Sequence, residues 1–292
     1  VDIKERLAAA RTESDGRELV EWADETARQI ARGDMMIGIV SVDEASKIPA
    51  AYRLAAELGV ATAWLKLAWW SVAPLYGDTF FAAANDALAR AVAADVTGAK
   101  LDAVKIRWHY LRDDLQEEER HQTFQYASDL AKSGIAEALY YVGLLTCGGF
   151  GTKADPAAAF QIQNQAADLG NSDAMFEIYV HYANGLGVPR DQQAAFAANK
   201  RAAEAGHSRA AYNLGAFFAT GHLVPKDMTE SVKWYERAAD AGNAQAMANL
   251  ALIYGTGDGV AKDLAYAEQL LDQADYLGLD VSPAREILAK NE

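Results

Sequence analysis

Apolar residues along this chain do not fall into the alternating runs of Val, Ile and Thr that mark half-buried strands. They gather in alanine-rich stretches such as AAYRLAAELG and ALYYVGLLTC, separated by short segments that carry glycine. Alanine is the best helix former and only 6 prolines interrupt the chain, so the pattern predicts an all-α protein. The stretches are also phased. Gly98, Gly134, Gly170, Gly206, Gly242 and Gly278 lie 36 residues apart, and the same interval links Ala138, Ala174, Ala210 and Ala246, then Gly149, Gly185, Gly221 and Gly257, then Asp155, Asp191, Asp227 and Asp263. Series that share one phase define a repeating unit, here a pair of helices.

Each series has a mechanical role. The glycine that ends AADLG, AAEAG and AADAG closes the second helix of a pair by taking the left-handed conformation that a side chain disfavours. The glycines of NGLGVPRD, TGHLVPKD and GTGDGVAKD turn the first helix into the second. The aspartate that follows accepts backbone N–H bonds as an N-cap, and Pro156 after Asp155 suits a first helical turn. Small residues at Ala138, Ala174, Ala210 and Ala246, and at Gly143, Gly215 and Ala251, let two helices approach closely, whereas Tyr179 breaks the second series and predicts a local splay. Toward the N-terminus the signal thins. The repeat from Gly98 to Gly134 keeps the period but has LRDDLQEEER in place of the glycine turn; Gly59 lies 39 residues before Gly98, which reads as one repeat with a three-residue insertion.

The segments ALYYVGLLTCGGFG, AAYNLGAFFATGHLVPKDMTESVKWYERAADAG and AMANLALIYGTGDGVAKD resemble the Sel-one-like repeat family, a relative of the tetratricopeptide repeats. The resemblance implies a right-handed α-solenoid of about seven antiparallel helix pairs. It divides the chain into an N-terminal cap at 1–15, divergent helical repeats at 16–134, well-matched repeats at 135–278 and a C-terminal capping helix at 279–292 that covers the last apolar face.

Charge narrows the choice of partner. With 41 acidic and 27 basic residues the net charge is -14, which repels phosphate backbones, so nucleic acid is not an expected partner. No apolar run approaches the roughly 20 residues needed to cross a bilayer, and no membrane insertion is expected. The N-terminal VDIKERLAAARTESDG is charged where a signal peptide is apolar. The expectation is a cytoplasmic protein, or a periplasmic one if a signal peptide was removed.

Catalytic chemistry finds little support. His109, His121, His181, His207 and His222 are scattered and form no HExxH motif, so neither a metal nor another cofactor is expected. His207 and His222 read as solvated loop residues. GTGDG around Gly257 lacks the GK[ST] of a phosphate loop and falls in phase with the other turns. Cys147 is the only cysteine, which excludes an intramolecular disulfide and a CxxC pair and reads as packing. Cysteine-rich relatives in the family bind penicillin, but this chain has no SxxK and lacks their paired cysteines, so that activity does not transfer. The chain reads as a non-enzyme.

In tetratricopeptide-like stacks the first helix of each pair lines a concave groove, so the resemblance points to residues in register on that face. One series is Tyr140, Phe176, Tyr212 and Ala248, and its neighbour is Tyr141, Glu177, Asn213 and Asn249. One turn further lie Trp69, Trp108, Leu144, Val180, Ala216 and Leu252, which puts two tryptophans in adjacent repeats. Aromatic anchors are enriched among binding hot spots. The expected partner-binding residues are Trp69, Trp108, Tyr140, Tyr141, Phe176, Glu177, Tyr212, Asn213 and Asn249, while Trp64, Trp234 and Tyr235 are assigned to the core. Where a carboxylate clamp carries Lys and Arg, these positions carry aromatics, Asn and Glu, so capture of a free C-terminus is not expected. Asp113, Asp114, Glu117, Glu118 and Glu119 replace a turn and read as a solvated helix start.

Together these readings imply a non-catalytic bacterial scaffold or adaptor that binds another protein or peptide, a basic one suiting the charge, in its concave groove. The alternative is an immunity protein that neutralises a toxin by occlusion, for which the negative charge would speed association with a basic effector. An enzyme with a site assembled across repeats ranks third.

Overall fold

Helix ends, more than helix interiors, set the architecture. The structure is a computed structural model that describes residues 3–31, 41–72 and 81–290, apart from the side chain of Val42. Every regular element among the described residues is helical, and the chain divides into two compact units, 1–130 and 131–292.

The first unit holds α1 (Ile3–Ala9), α2 (Glu13–Ala31), α3 (Val42–Ala45), α4 (Ile48–Glu57), α5 (Ala63–Val72), α6 (Phe81–Ala93), α7 (Ala99–Ile106) and the start of α8 (Glu117–Lys132). Helix α2 packs on α4, and α5 on α6. A capping box opens α2: the Thr12 N–H donates to the Asp15 carboxylate at 2.9 Å, and the Asp15 N–H donates to the Thr12 hydroxyl at 3.2 Å. The boundary expected at residue 16 therefore falls inside a helix. Gly16 is not a turn residue but a contact: a Cβ there would lie 3.0 Å from Val60 Cγ2 and 3.1 Å from the Ala55 carbonyl oxygen.

Helix α4 is closed by Gly59, at φ 106°, with the Val60 N–H donating to the Ala55 carbonyl at 3.0 Å. The same closure recurs at Asp95, at φ 52°, where the Val96 N–H donates to the Ala91 carbonyl at 3.1 Å. Asp95 stands 36 residues after Gly59, so the period is intact there and the three extra residues fall between Asp95 and Gly134. Aspartate is among the few side chains that tolerate the left-handed region, and for that reason spacing of glycines alone misplaced the insertion at Gly98.

Where later repeats have a glycine turn, α7 runs into a π-helical turn, Arg107–Leu111. The wider turn carries Arg107 inward, to 3% exposure. Its guanidinium donates to Asn85 Oδ1 at 3.1 Å, Gln122 Oε1 at 3.0 Å and Thr123 Oγ1 at 3.4 Å, and the Asn85 amide donates to Glu119. One buried cation thus ties α6, the end of α7 and α8. The acidic run is a solvated helix start: Glu117, Glu118 and Glu119 occupy the first turn of α8, where the helix dipole favours negative charge.

The second unit holds four hairpins of 13-residue helices: α9 (Ala136–Gly148) with α10 (Pro156–Asp168), α11 (Ser172–Asn184) with α12 (Gln192–Glu204), α13 (Ser208–Thr220) with α14 (Met228–Asp240), and α15 (Ala244–Thr256) with α16 (Leu264–Tyr276). Helix α17 (Ser282–Ala289) follows. Gly149, Gly185, Gly221 and Gly257 end the first helices in the left-handed region. The N–H groups of Asp155, Asp191, Asp227 and Asp263 reach back to the carbonyls of Thr146, Tyr182, Phe218 and Tyr254 at 2.9–3.0 Å, and each carboxylate caps the next helix. The second helices end at Gly170, Gly206, Gly242 and Gly278 with one repeated bond, such as Asn171 N–H to the Ala166 carbonyl at 3.1 Å, the signature of a Schellman closure. Leu223, at φ 65°, holds a left-handed turn position that is glycine in the sister turns at Gly187 and Gly259.

Ala138, Ala174, Ala210 and Ala246 on the first helices and Ala166, Ala202, Ala238 and Ala274 on the second are all 0% exposed. A Cβ on Gly215 would stand 2.6 Å from the Tyr235 ring, so a large second-helix residue is matched by an absent first-helix side chain. Tyr179 reverses the trade: the residue at its partner's register is Asn199. Helices α11 and α12 keep the lengths and closures of their neighbours. Leu288 of α17 is buried against Gly255 of the last hairpin.

Candidate partner-binding face

Three first helices of the second unit contribute to one cluster. Tyr140 and Tyr141 of α9 stand edge-on with ring centroids 5.1 Å apart. From α11 come Asp173, Phe176 and Glu177, and from the start of α13 come His207 and Arg209. The His207 ring stacks on Phe176 at 4.3 Å, its Nε2 lies 3.5 Å from Asp173, and the Arg209 guanidinium covers Phe176 at 5.2 Å.

His207 is not the solvated loop residue that the sequence suggests. Its Nδ1 accepts the Ala210 N–H at 3.1 Å, the capping role that Asn171 and Asn243 fill in the sister repeats. Burial holds its pKa below 6.5, with Asp173 opposing and Arg209 reinforcing the shift.

Glu177 is half-buried, and among the described residues it has no hydrogen bond and no cation within 4 Å. Burial pushes its carboxyl pKa up, Arg209 pulls it back and Asp173 adds to the rise. The Tyr140 hydroxyl is pushed up as well, first by burial and then by the charges of Glu177 and Asp173. Cys147 feels the same field: burial and then Glu177 keep its thiol protonated, which disfavours a nucleophilic thiolate.

Farther along, Tyr212 lies against Tyr235 at 5.6 Å. Asn213 donates to Asn199 Oδ1 at 3.1 Å, and Asn199 donates to the Ala210 carbonyl at 2.9 Å. Asn249 hydrogen-bonds the Tyr235 hydroxyl.

Of the expected site residues in this unit, Tyr140, Glu177, Tyr212, Asn213 and Asn249 are half-buried and keep exposed surface. Tyr141 and Phe176 do not: they are 5% and 6% exposed and belong to the interior. One buried residue comes from each of the two adjacent series, so register alone does not decide exposure; Phe176 is covered by the stacked ring of His207 at the start of α13. The core assignment holds for Tyr235, at 4% exposure. Trp64 and Trp234 instead are half-buried, covered by Arg90 at 5.0 Å and Arg237 at 4.7 Å.

In the first unit Trp69 is half-buried and stands edge-on to Tyr110 at 6.3 Å. With Trp70, Leu65, Tyr52 and Ala27 it lines a hollow of about 370 Å³. Asp24 fixes its rim, accepting from the Tyr52 hydroxyl at 2.8 Å and pairing with Lys66 at 2.8 Å. Trp108 is half-buried under the Arg112 guanidinium at 5.2 Å.

Among the described residues no three His, Cys, Asp or Glu side chains converge as metal ligands do, and no helix is long and apolar enough to cross a membrane. Stacked hairpins whose interior is alanine and whose edges carry tyrosine, asparagine and unpaired glutamate define an α-solenoid repeat protein, a class that presents extended surfaces to partners. Residues 136–171, 172–207, 208–243 and 244–278 each match the Sel1 repeat, so the chain carries four Sel1 repeats. Proteins built of these repeats generally mediate protein–protein interaction and are typically non-catalytic.

Among solved structures, a Sel1 repeat protein from Oxalobacter formigenes is 24% identical over 70% of this chain and 91% of its own, with a TM-score of 0.56. The protective antigen c5321 of uropathogenic Escherichia coli strains, which has an SLR fold, is 24% identical over 83% of this chain and 51% of its own, with a TM-score of 0.54. The immunity protein PA5088 of Pseudomonas aeruginosa is 18% identical over 77% of this chain and 84% of its own, with a TM-score of 0.52. At such identities the likeness is one of fold. No curated protein matches the chain.

Proposed function

We propose that the protein is a non-catalytic adaptor that binds another protein or peptide on the first-helix face of its Sel1 repeats. The observation that carries this reading is the set Tyr140, Glu177, Tyr212, Asn213 and Asn249, half-buried side chains drawn from two adjacent registers on successive first helices. Tyrosine offers large contact area at small entropic cost, and the asparagines offer both donors and acceptors along the face. An enzymatic role has less support: the raised carboxyl of Glu177 is not matched by an activated nucleophile, because Cys147 is held as a thiol.

The test is site-specific photo-crosslinking in a lysate of the source organism. A photoreactive residue at 212 or 249 is expected to trap a defined protein, and one at Lys200 or Lys233, exposed on second helices, is not. Crosslinks confined to the second-helix positions would reject the first-helix face.

A second reading is an immunity protein that occludes a toxin. It is supported by the fold likeness to PA5088 and by the net charge of -14, which accelerates encounter with a basic effector. Co-expression with a toxin encoded beside its own gene should then restore growth, and continued killing would exclude that toxin as the target.

A further inference from the structure

Resting on the first-helix face as the binding surface, we propose that Glu177 seats a positively charged side chain, arginine or lysine, of the protein partner. A carboxylate drawn partly out of water costs free energy unless a cation or donors replace the lost hydration. Other acidic groups of this unit have such company: Asp168 pairs with Arg201 at 3.1 Å, Asp173 lies 3.5 Å from His207, Glu230 pairs with Lys233 at 2.6 Å, and Glu236 accepts from the Tyr254 hydroxyl at 3.1 Å. Among the described residues Glu177 has no hydrogen bond and no cation within 4 Å; Arg209 acts on it only from farther away.

The surroundings suit a cation. Tyr140 belongs to the preceding repeat and shares the field of Glu177, and its half-buried ring offers the negative quadrupole that attracts guanidinium and ammonium groups. Asp173, one turn before Glu177, adds negative charge. The intrinsic cation of the cluster, Arg209, is drawn over the Phe176 ring at 5.2 Å and does not come within 4 Å of Glu177. On a chain of net charge -14 the long-range field also favours a basic partner over an acidic or phosphorylated one.

The experiment selects random decapeptides, displayed on phage, against the whole protein and against its Glu177→Gln and Tyr212→Ala variants. Wild type is expected to enrich Arg or Lys at one fixed position. A synthetic peptide of the enriched sequence should bind Glu177→Gln roughly tenfold more weakly, while the same peptide with that residue changed to Gln should bind wild type and Glu177→Gln alike. An unchanged basic preference against Glu177→Gln overturns the proposal. Peptides that are lost with Tyr212→Ala yet indifferent to Glu177 overturn the cation seat and leave the binding face standing. Failure to select any peptide that depends on this face overturns both. Thermal unfolding of each variant verifies that it is folded.

Discussion

Glu177 of α11 and His207 at the N-terminus of α13 are half-buried titratable groups, and their pKa shifts have opposite signs. For Glu177 the folded pKa lies above 4.5, so its favourable contribution is complete below that pH and is lost as pH rises through the folded value. At neutral pH the charge is a net cost. Glu177→Gln should therefore raise Tm by roughly a few degrees at pH 7.5, and calorimetry near pH 4 should find no difference between the two proteins. For His207 the folded pKa lies below 6.5, so its contribution is complete above that pH and is lost as pH falls toward the folded value. Denaturant titrations at pH 7.5 and 5 should show His207→Asn keeping the cap and losing part of this acid sensitivity, whereas His207→Ala should cost about 1 kcal/mol at pH 7.5. The aspartate caps were legible in the sequence because a cap depends on residues two or three positions away. The burial of Phe176 and the stacked role of His207 were not, because each is created by contact between α11 and the start of α13.

Turns show the same division between local and non-local causes. Gly187 combines φ 69° with a position where a Cβ would run into the backbone of Pro156 and Ala157, while Gly206, at φ 92°, has open space around it. Gly187→Ala should cost roughly 2–4 kcal/mol and Gly206→Ala about 1–2 kcal/mol, a difference that urea titration resolves. The sequence located these turns by period alone. It did not reveal the π-helical turn or its arginine, since a lone arginine in a helix ordinarily faces water; the missing glycine turn was the one available signal. Arg107→Ala leaves the oxygens of Asn85 and Gln122 without their donor and should cost about 2–3 kcal/mol. Hydrogen exchange should show the loosening concentrated in α6, α7 and α8.

At the scale of the molecule, nearly all the packing in the second unit joins helices adjacent in sequence, which makes stability a sum over neighbours. A fragment spanning 131–292 should fold by itself and unfold cooperatively by circular dichroism. Deleting 279–292 from the whole chain should lower Tm and increase binding of an apolar dye, because Leu288 then no longer covers Gly255 and the end of the last hairpin. The all-helical repeat architecture was legible throughout, since it rests on period and propensity. The partner face was legible only as a register, because which of two adjacent residues is exposed depends on what other elements lay over it.

The complementary pair Gly215 and Tyr235 lies within a single repeat, and so does the register of Tyr179 with Asn199. Unequal recombination between equivalent codons near the closing glycines would lengthen or shorten the array by one unit with every such pair kept intact. A crossover inside a hairpin would instead bring the tyrosine of α11 onto the register of the tyrosine of α14, two rings competing for the space of one. The gene can therefore grow by whole repeats far more readily than by halves.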